Sequence, residues 1–111
     1  MLDVKPLRRL ADRTCAYIIV QSKISDPERF KQYMASAPAA VAAAGGEYLA
    51  RGGRLAVLEG DWRPTRITLL RFPSFEQAQA FYDSEMYRAA RLLRLGTTDL
   101  FDMIVTEGTP D

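Results

Sequence analysis

Cys15-Ala16-Tyr17-Ile18-Ile19-Val20-Gln21-Ser22-Lys23-Ile24-Ser25-Asp26-Pro27-Glu28 is the stretch on which the fold turns. Its first part, Cys15 to Ile24, is β-prone, with Ala16, Ile18 and Val20 on one face and Tyr17, Ile19 and Gln21 on the other. Apolar residues on both faces predict a central strand. The last four residues start a helix: Ser25 reads as the N-cap, Glu28 follows three positions on, and Pro27 falls where no amide partner is needed. A strand passing directly into a capped helix is the opening unit of a mixed domain.

Downstream, Phe30, Tyr33, Met34, Ala37 and Val41 recur at spacings of three and four, predicting one apolar helical stripe along residues 26–44 that covers a sheet. Pro38 lies inside it, removes a backbone donor and predicts a kink or break. Gly45-Gly46 ends the helix, and Glu47 to Arg51 reads as a second strand. Gly52-Gly53 suggests a bulge or tight bend, after which Arg54 to Glu59 alternates Leu55 and Val57 against Ala56 and Leu58, as an extended continuation would. Gly60 to Pro64 is a loop. Arg66 to Phe72 is a third strand, with Ile67, Leu69 and Arg71 read as its core-facing set and Thr68, Leu70 and Phe72 opposite.

Ser74 with Gln77 forms a capping box ahead of Ala78, Phe81 and Tyr82, and Ser84 before Glu85 caps a further helical segment that Gly96 stops. In the last strand, Leu100 to Glu107, Phe101, Met103 and Val105 alternate with Asp102, Ile104 and Thr106. The order β-α-β-β-α-β is the ferredoxin-like arrangement of the α+β class, an antiparallel sheet with helices on one face. The other face also carries apolar residues, so a second copy is expected to cover it.

Composition narrows the function classes. At 111 residues the chain suits a single domain, read here as residues 15–111 preceded by a 1–14 extension that includes Lys5-Pro6 and Arg8-Arg9. A short docking helix is the alternative reading of that extension. Fifteen Lys and Arg against 14 Asp and Glu give a net charge of +1, too small a surplus to predict nucleic-acid binding. No run approaches the roughly 18 apolar residues of a membrane span, no signal peptide is read, and the single Cys15 cannot form an intrachain disulfide. A cytoplasmic protein is expected. The chain has no His, the commonest neutral-pH acid-base group and a frequent metal ligand, so no metal or cofactor is expected. Cys15, in an apolar strand, reads as a small hydrophobe rather than a nucleophile.

Ser25-Asp26-Pro27-Glu28, Gly45-Gly46 before Tyr48-Leu49 and Arg51-Gly52-Gly53, Leu58-Glu59-Gly60, Phe72-Pro73-Ser74, Tyr82-Asp83-Ser84, Tyr87, Arg94 and Val105-Thr106-Glu107-Gly108 occur in an order and spacing that resemble the DUF1330 family of small bacterial proteins. That family is part of the dimeric α/β-barrel group. The resemblance, which runs from about Ala16 to Gly108, implies a ferredoxin-like protomer that pairs sheet to sheet as a homodimer, and it implies no settled activity.

The candidate ligand-binding residues are Tyr33, Arg51, Glu59, Ser84, Tyr87 and Arg94, placed around a pocket between sheet and helices. Arg51 can grip a carboxylate through its fork, with Glu59 holding that fork or acting as a base; a structural Arg51–Glu59 ion pair bracing the glycine bend is the competing reading. Tyr33 and Tyr87 offer polar tips on apolar bodies, Phe81 and Tyr82 fit the helix stripe, and Trp62 suits either a ligand or a partner-subunit contact. Two functions follow: a homodimeric small-molecule-binding protein, or a cofactor-independent oxygenase or isomerase acting on a small aromatic or carbonyl compound.

Overall fold

A computed structural model describes residues 14–110. The 1–14 extension expected from the sequence lies outside these apart from Thr14. Strand β1 (Ala16–Ile24) leads into helix α1 (Pro27–Ala43), strands β2 (Glu47–Arg51) and β3 (Ile67–Phe72), helices α2 (Phe75–Asp83) and α3 (Glu85–Arg94), and strand β4 (Thr98–Glu107). The sheet order is β2-β3-β1-β4, every neighbouring pair is antiparallel, and β1 is internal. This is the ferredoxin-like βαββαβ fold.

Alternation along β1 sends Ala16, Ile18, Val20 and Ser22 into the core. Register carries the face across the sheet: Ile18 stands beside Leu70 and Val105, while Ile19 stands beside Leu69 and Ile104 on the open side. The helix-facing set of β3 is therefore Thr68, Leu70 and Phe72, with Leu70 3% and Phe72 0% exposed. This inverts the sequence expectation, because a strand apolar on both faces does not say which face meets the helices.

Helix α1 is capped by Asp26, whose carboxylate accepts from the Arg29 amide at 3.1 Å. Ser25, expected in that role, does not cap the helix; its backbone N–H and that of Asp26 both donate to the Thr97 carbonyl, at 2.9 and 3.0 Å, which ties the start of α1 to the turn before β4. The cap is worth about 1 kcal/mol. Pro38 does not end α1, which runs through it to Ala43. Ser74 and Ser84 cap α2 and α3 as read, accepting from the amides of Gln77 and Tyr87 at 3.0 and 3.1 Å.

Residues 52–66 between β2 and β3 form an arm rather than the extended strand continuation expected for Arg54 to Glu59. Leu55, Val57 and Leu58 on it are 44%, 45% and 94% exposed, so the alternation there has no core to bury into. Trp62 returns to the sheet, its indole N–H donating to Gln21 Oε1 at 3.1 Å. Gln21 belongs to the open face, where Ile104 and Leu49 are 60% and 47% exposed.

Candidate functional site

A register shift in β2 decides what the site contains. Tyr48 pairs with Leu70 and Ala50 with Leu69, so Leu49 is an extra residue in the strand. In a regular strand Tyr48 and Arg51, three apart, would face opposite sides; the bulge turns both toward the helices. The Arg51 guanidinium consequently lies over the Tyr48 ring, 4.6 Å from its centroid. Its Nη2 also donates to the Met34 carbonyl at 2.7 Å. That carbonyl is the one Pro38, lacking an N–H, leaves unpaired four residues on.

Arg66 arrives from the other end of the arm. Its carbonyl accepts from the Ser22 amide at 3.1 Å, and the Thr65 hydroxyl donates to the Ser22 carbonyl at 3.0 Å. This clamp extends the helix-facing alternation of Thr68, Leu70 and Phe72 back to Arg66. Gly52, at φ +70°, has the Arg66 guanidinium where a Cβ would stand, so only glycine leaves that head its place.

These residues enclose a cavity of about 30 Å³ between the sheet and the helices. Phe30, Tyr33 and Met34 of α1 and Tyr87 of α3 form its roof; Ser22, Tyr48, Thr68, Phe101 and Met103 form its floor; Arg51 and Arg66 stand at its rim. The volume holds a water or a ligand head group, far below the roughly 300 Å³ of a drug-sized site. Tyr33 and Tyr87 hydroxyls meet at 2.6 Å. Burial first, and then Tyr87, drives the Tyr33 hydroxyl pKa far above its ordinary value of 10.0. Burial also raises Tyr48, against the opposing pull of Arg51, and lowers Arg66, with Arg51 adding repulsion.

Of the six residues picked from sequence, Tyr33, Tyr87 and Arg51 meet at this cavity. Arg94 adjoins it from the end of α3, its guanidinium 3.6 Å from the Phe101 ring centroid and 5.5 Å from that of Tyr33. Arg94 opens instead onto a neighbouring cleft of about 290 Å³ lined by Tyr82, Asp83, Phe101 and Ile104. Its buried Nε has no hydrogen-bond partner among the described residues. Ser84 is not at the cavity: its hydroxyl caps α3 and donates to the Phe81 carbonyl at 2.7 Å, so helix geometry accounts for it. Glu59 is exposed on the arm, outside the cavity lining, and no Arg51–Glu59 ion pair forms among the described residues. The expected Arg51–Glu59 bracing pair is thus corrected. Phe81 is core, whereas Tyr82 is 39% exposed with Arg91 over its ring at 4.0 Å.

Sequence reasoning missed Arg66. The signal was present in the two-residue alternation Arg66, Thr68, Leu70, Phe72, and the inverted face assignment concealed it. Among the described residues no three His, Cys, Asp or Glu side chains gather as a ligand set for a metal, and no helix is long and apolar enough to cross a membrane.

The fold and its partly open, arginine-rimmed cavity define a ferredoxin-like α+β protein with a pocket between sheet and helices. The chain belongs to the DUF1330 family, a domain of unknown function, which it matches over residues 15–109. Among solved structures, it is similar to RPA0582 of Rhodopseudomonas palustris, a protein of unknown function, at 14% identity and a TM-score of 0.72, covering 100% of this chain and 95% of that one. A dimeric ferredoxin-like protein of unknown function from Thermobifida fusca shares 16% identity with a TM-score of 0.61, over 86% of this chain and 92% of that one. A protein of Nitrosomonas europaea provisionally named an antibiotic biosynthesis monooxygenase shares 14% identity with a TM-score of 0.52, over 86% and 90%. At these identities the likeness is one of fold. No protein of curated function matches the chain.

Proposed function

We propose that this protein is a homodimer that binds a small organic molecule in the cavity between sheet and helices. The observation that carries the reading is the convergence of Tyr33, Tyr87, Tyr48, Arg51 and Arg66 on one space: a core needs none of these polar tips, and a binding site needs several. Met34 and Met103 line the same space, and their flexible thioethers can yield to admit a ligand larger than the resting volume.

Assembly rests on the open sheet face. Ile19, Ile67 and Leu69 are half-buried there, and Leu49, Leu100 and Ile104 are exposed beside the apolar arm. A second copy of the chain is the natural cover for so extended an apolar surface, and the Thermobifida fusca relative is described as dimeric. Sheet-to-sheet pairing leaves the cavity, on the opposite face, available to ligand. We place the protein in the cytoplasm on the strength of its single cysteine.

The competing reading, a cofactor-independent oxygenase or isomerase, has one observation in its favour: the short Tyr33–Tyr87 contact can pass a proton. Its weakness is the missing base. Among the described residues no Asp, Glu or Cys lines the cavity, the chain has no His, and Tyr33 is held protonated, so the phenol pair acts as a donor.

A saturation-transfer NMR screen of small organic molecules tests the binding reading. Hits that bind the native protein and are lost in Met34→Trp, which fills the cavity, support it. Absence of hits, or hits indifferent to that change, contradicts it.

A further inference from the structure

The charged and hydroxyl groups around the cavity are unbalanced in one direction. Among the described residues, Arg51 and Arg66 are its only charged lining residues, with no Asp or Glu among the rest. The ion pairs of the described residues are Arg29–Asp26, Lys31–Glu28 and Arg71–Glu47, all elsewhere, so neither rim guanidinium has a carboxylate partner. A guanidinium carries five N–H donors in a rigid fork. Arg51 spends one nitrogen on Met34, and the Arg66 side chain donates no hydrogen bond among the described residues. Two cations brought together and partly dried repel each other, in keeping with the lowered Arg66 pKa.

The phenols add to the excess. Tyr33 and Tyr87 hold two hydroxyl protons and make one mutual bond, which leaves one proton without a side-chain or backbone acceptor among the described residues. Behind them, Arg94 lies over Phe101 and near Tyr33, adding a third positive charge that likewise lacks a carboxylate among the described residues. A cluster of donors around one partly buried cavity calls for an acceptor with negative charge.

We propose that the cavity takes the carboxylate of a small organic acid, held in the forks of Arg51 and Arg66 and by a hydroxyl of the Tyr33–Tyr87 pair, with the acid's apolar body against Phe30, Met34 and Met103. This rests on the small-molecule reading above and names its ligand class. The resting volume suits the carboxylate itself, and the methionines accommodate the body. An inorganic oxyanion would leave the aromatic and thioether lining without a partner. Gly52 is a positioning element, since a side chain there would push the Arg66 head out of place while leaving its charge in the protein.

Isothermal titration of the full chain with matched acids and primary amides tests the assignment: butyrate and butyramide, benzoate and benzamide, phenylacetate and phenylacetamide, with inorganic phosphate as a further probe. At least one acid should bind about tenfold or more tighter than its amide, and Arg66→Met should lower that affinity about 10- to 100-fold. Gly52→Ala should weaken it in the same direction. Amides binding as tightly as their acids would overturn the carboxylate assignment and leave the binding pocket standing. Phosphate binding as tightly as the acids would overturn the role given to the apolar body. No binding by any probe would overturn the ligand class, and the open NMR screen then decides separately whether the pocket reading survives. The acid–amide comparison is made on the unmodified protein, so it stands even if a variant fails to fold.

Discussion

Arg51 occupies a vacancy that Pro38 creates. The proline takes the N–H that would have bonded the Met34 carbonyl out of α1, and the guanidinium, turned inward by the Leu49 bulge, donates to that carbonyl at 2.7 Å. An irregularity in the helix and an irregularity in the strand are thereby matched, and together they fix the cavity rim.

That match is measurable as a coupling. An interior proline costs a helix about 3 kcal/mol against alanine, part of which the Arg51 bond recovers. Pro38→Ala should therefore stabilise the protein by roughly 1–2 kcal/mol in urea unfolding. Arg51→Met should cost about 1 kcal/mol in the native background and measurably less beside Pro38→Ala. Equal costs in both backgrounds would show that the two residues act independently.

Tyr33 gives the stability a defined alkaline limit. Its folded-state pKa is raised above the ordinary value of 10.0, so above that pH the unfolded chain loses a proton that the folded chain keeps. The contribution is complete below the ordinary value and is lost as pH climbs toward the folded-state value; Tyr48 is shifted in the same direction. Urea midpoints measured at successive pH values above 10.0 should fall, and fall less steeply in Tyr33→Phe. Parallel slopes in the two proteins would contradict the burial argument.

The open sheet face makes its own prediction. Ile104 is 60% exposed on the edge strand β4 and pairs with Ile19 of β1, within the surface assigned to the second copy. Ile104→Asp places an unpaired charge there and should weaken the dimer by about 100-fold or more in sedimentation velocity. The lone Trp62, 58% exposed on the arm, should shift its emission to the red as the native protein is diluted through dissociation. A native protein that sediments as a monomer at every concentration would rule the dimer out.

How far the chain could be read in advance depended on whether the information was local. Ser74 with Gln77 and Ser84 with Glu85 announced two helix starts, because capping is a matter of three or four neighbouring residues. Ser25 and Asp26 were equally good caps by type; the amides of both donate to the distant Thr97 carbonyl, and Asp26 is the one whose carboxylate reaches the Arg29 amide. Tyr33 was found on the periodic stripe of α1, and Tyr87 as an aromatic body with a polar tip. Arg66 was hidden because β3 is apolar on both sides, and Glu59 was misplaced because alternation at Leu55 and Val57 implied a strand where the chain forms an arm. The Leu49 bulge, which sets the direction of Arg51, leaves no mark in composition.

Native mass spectrometry of freshly purified protein beside Arg51→Ala tests the central claim most directly. The account predicts a dimer in both samples, with a retained small organic molecule on the native protein and none on the variant. An identical bound mass on both proteins, or a native dimer that carries no ligand and takes up none from a cell extract, would contradict it.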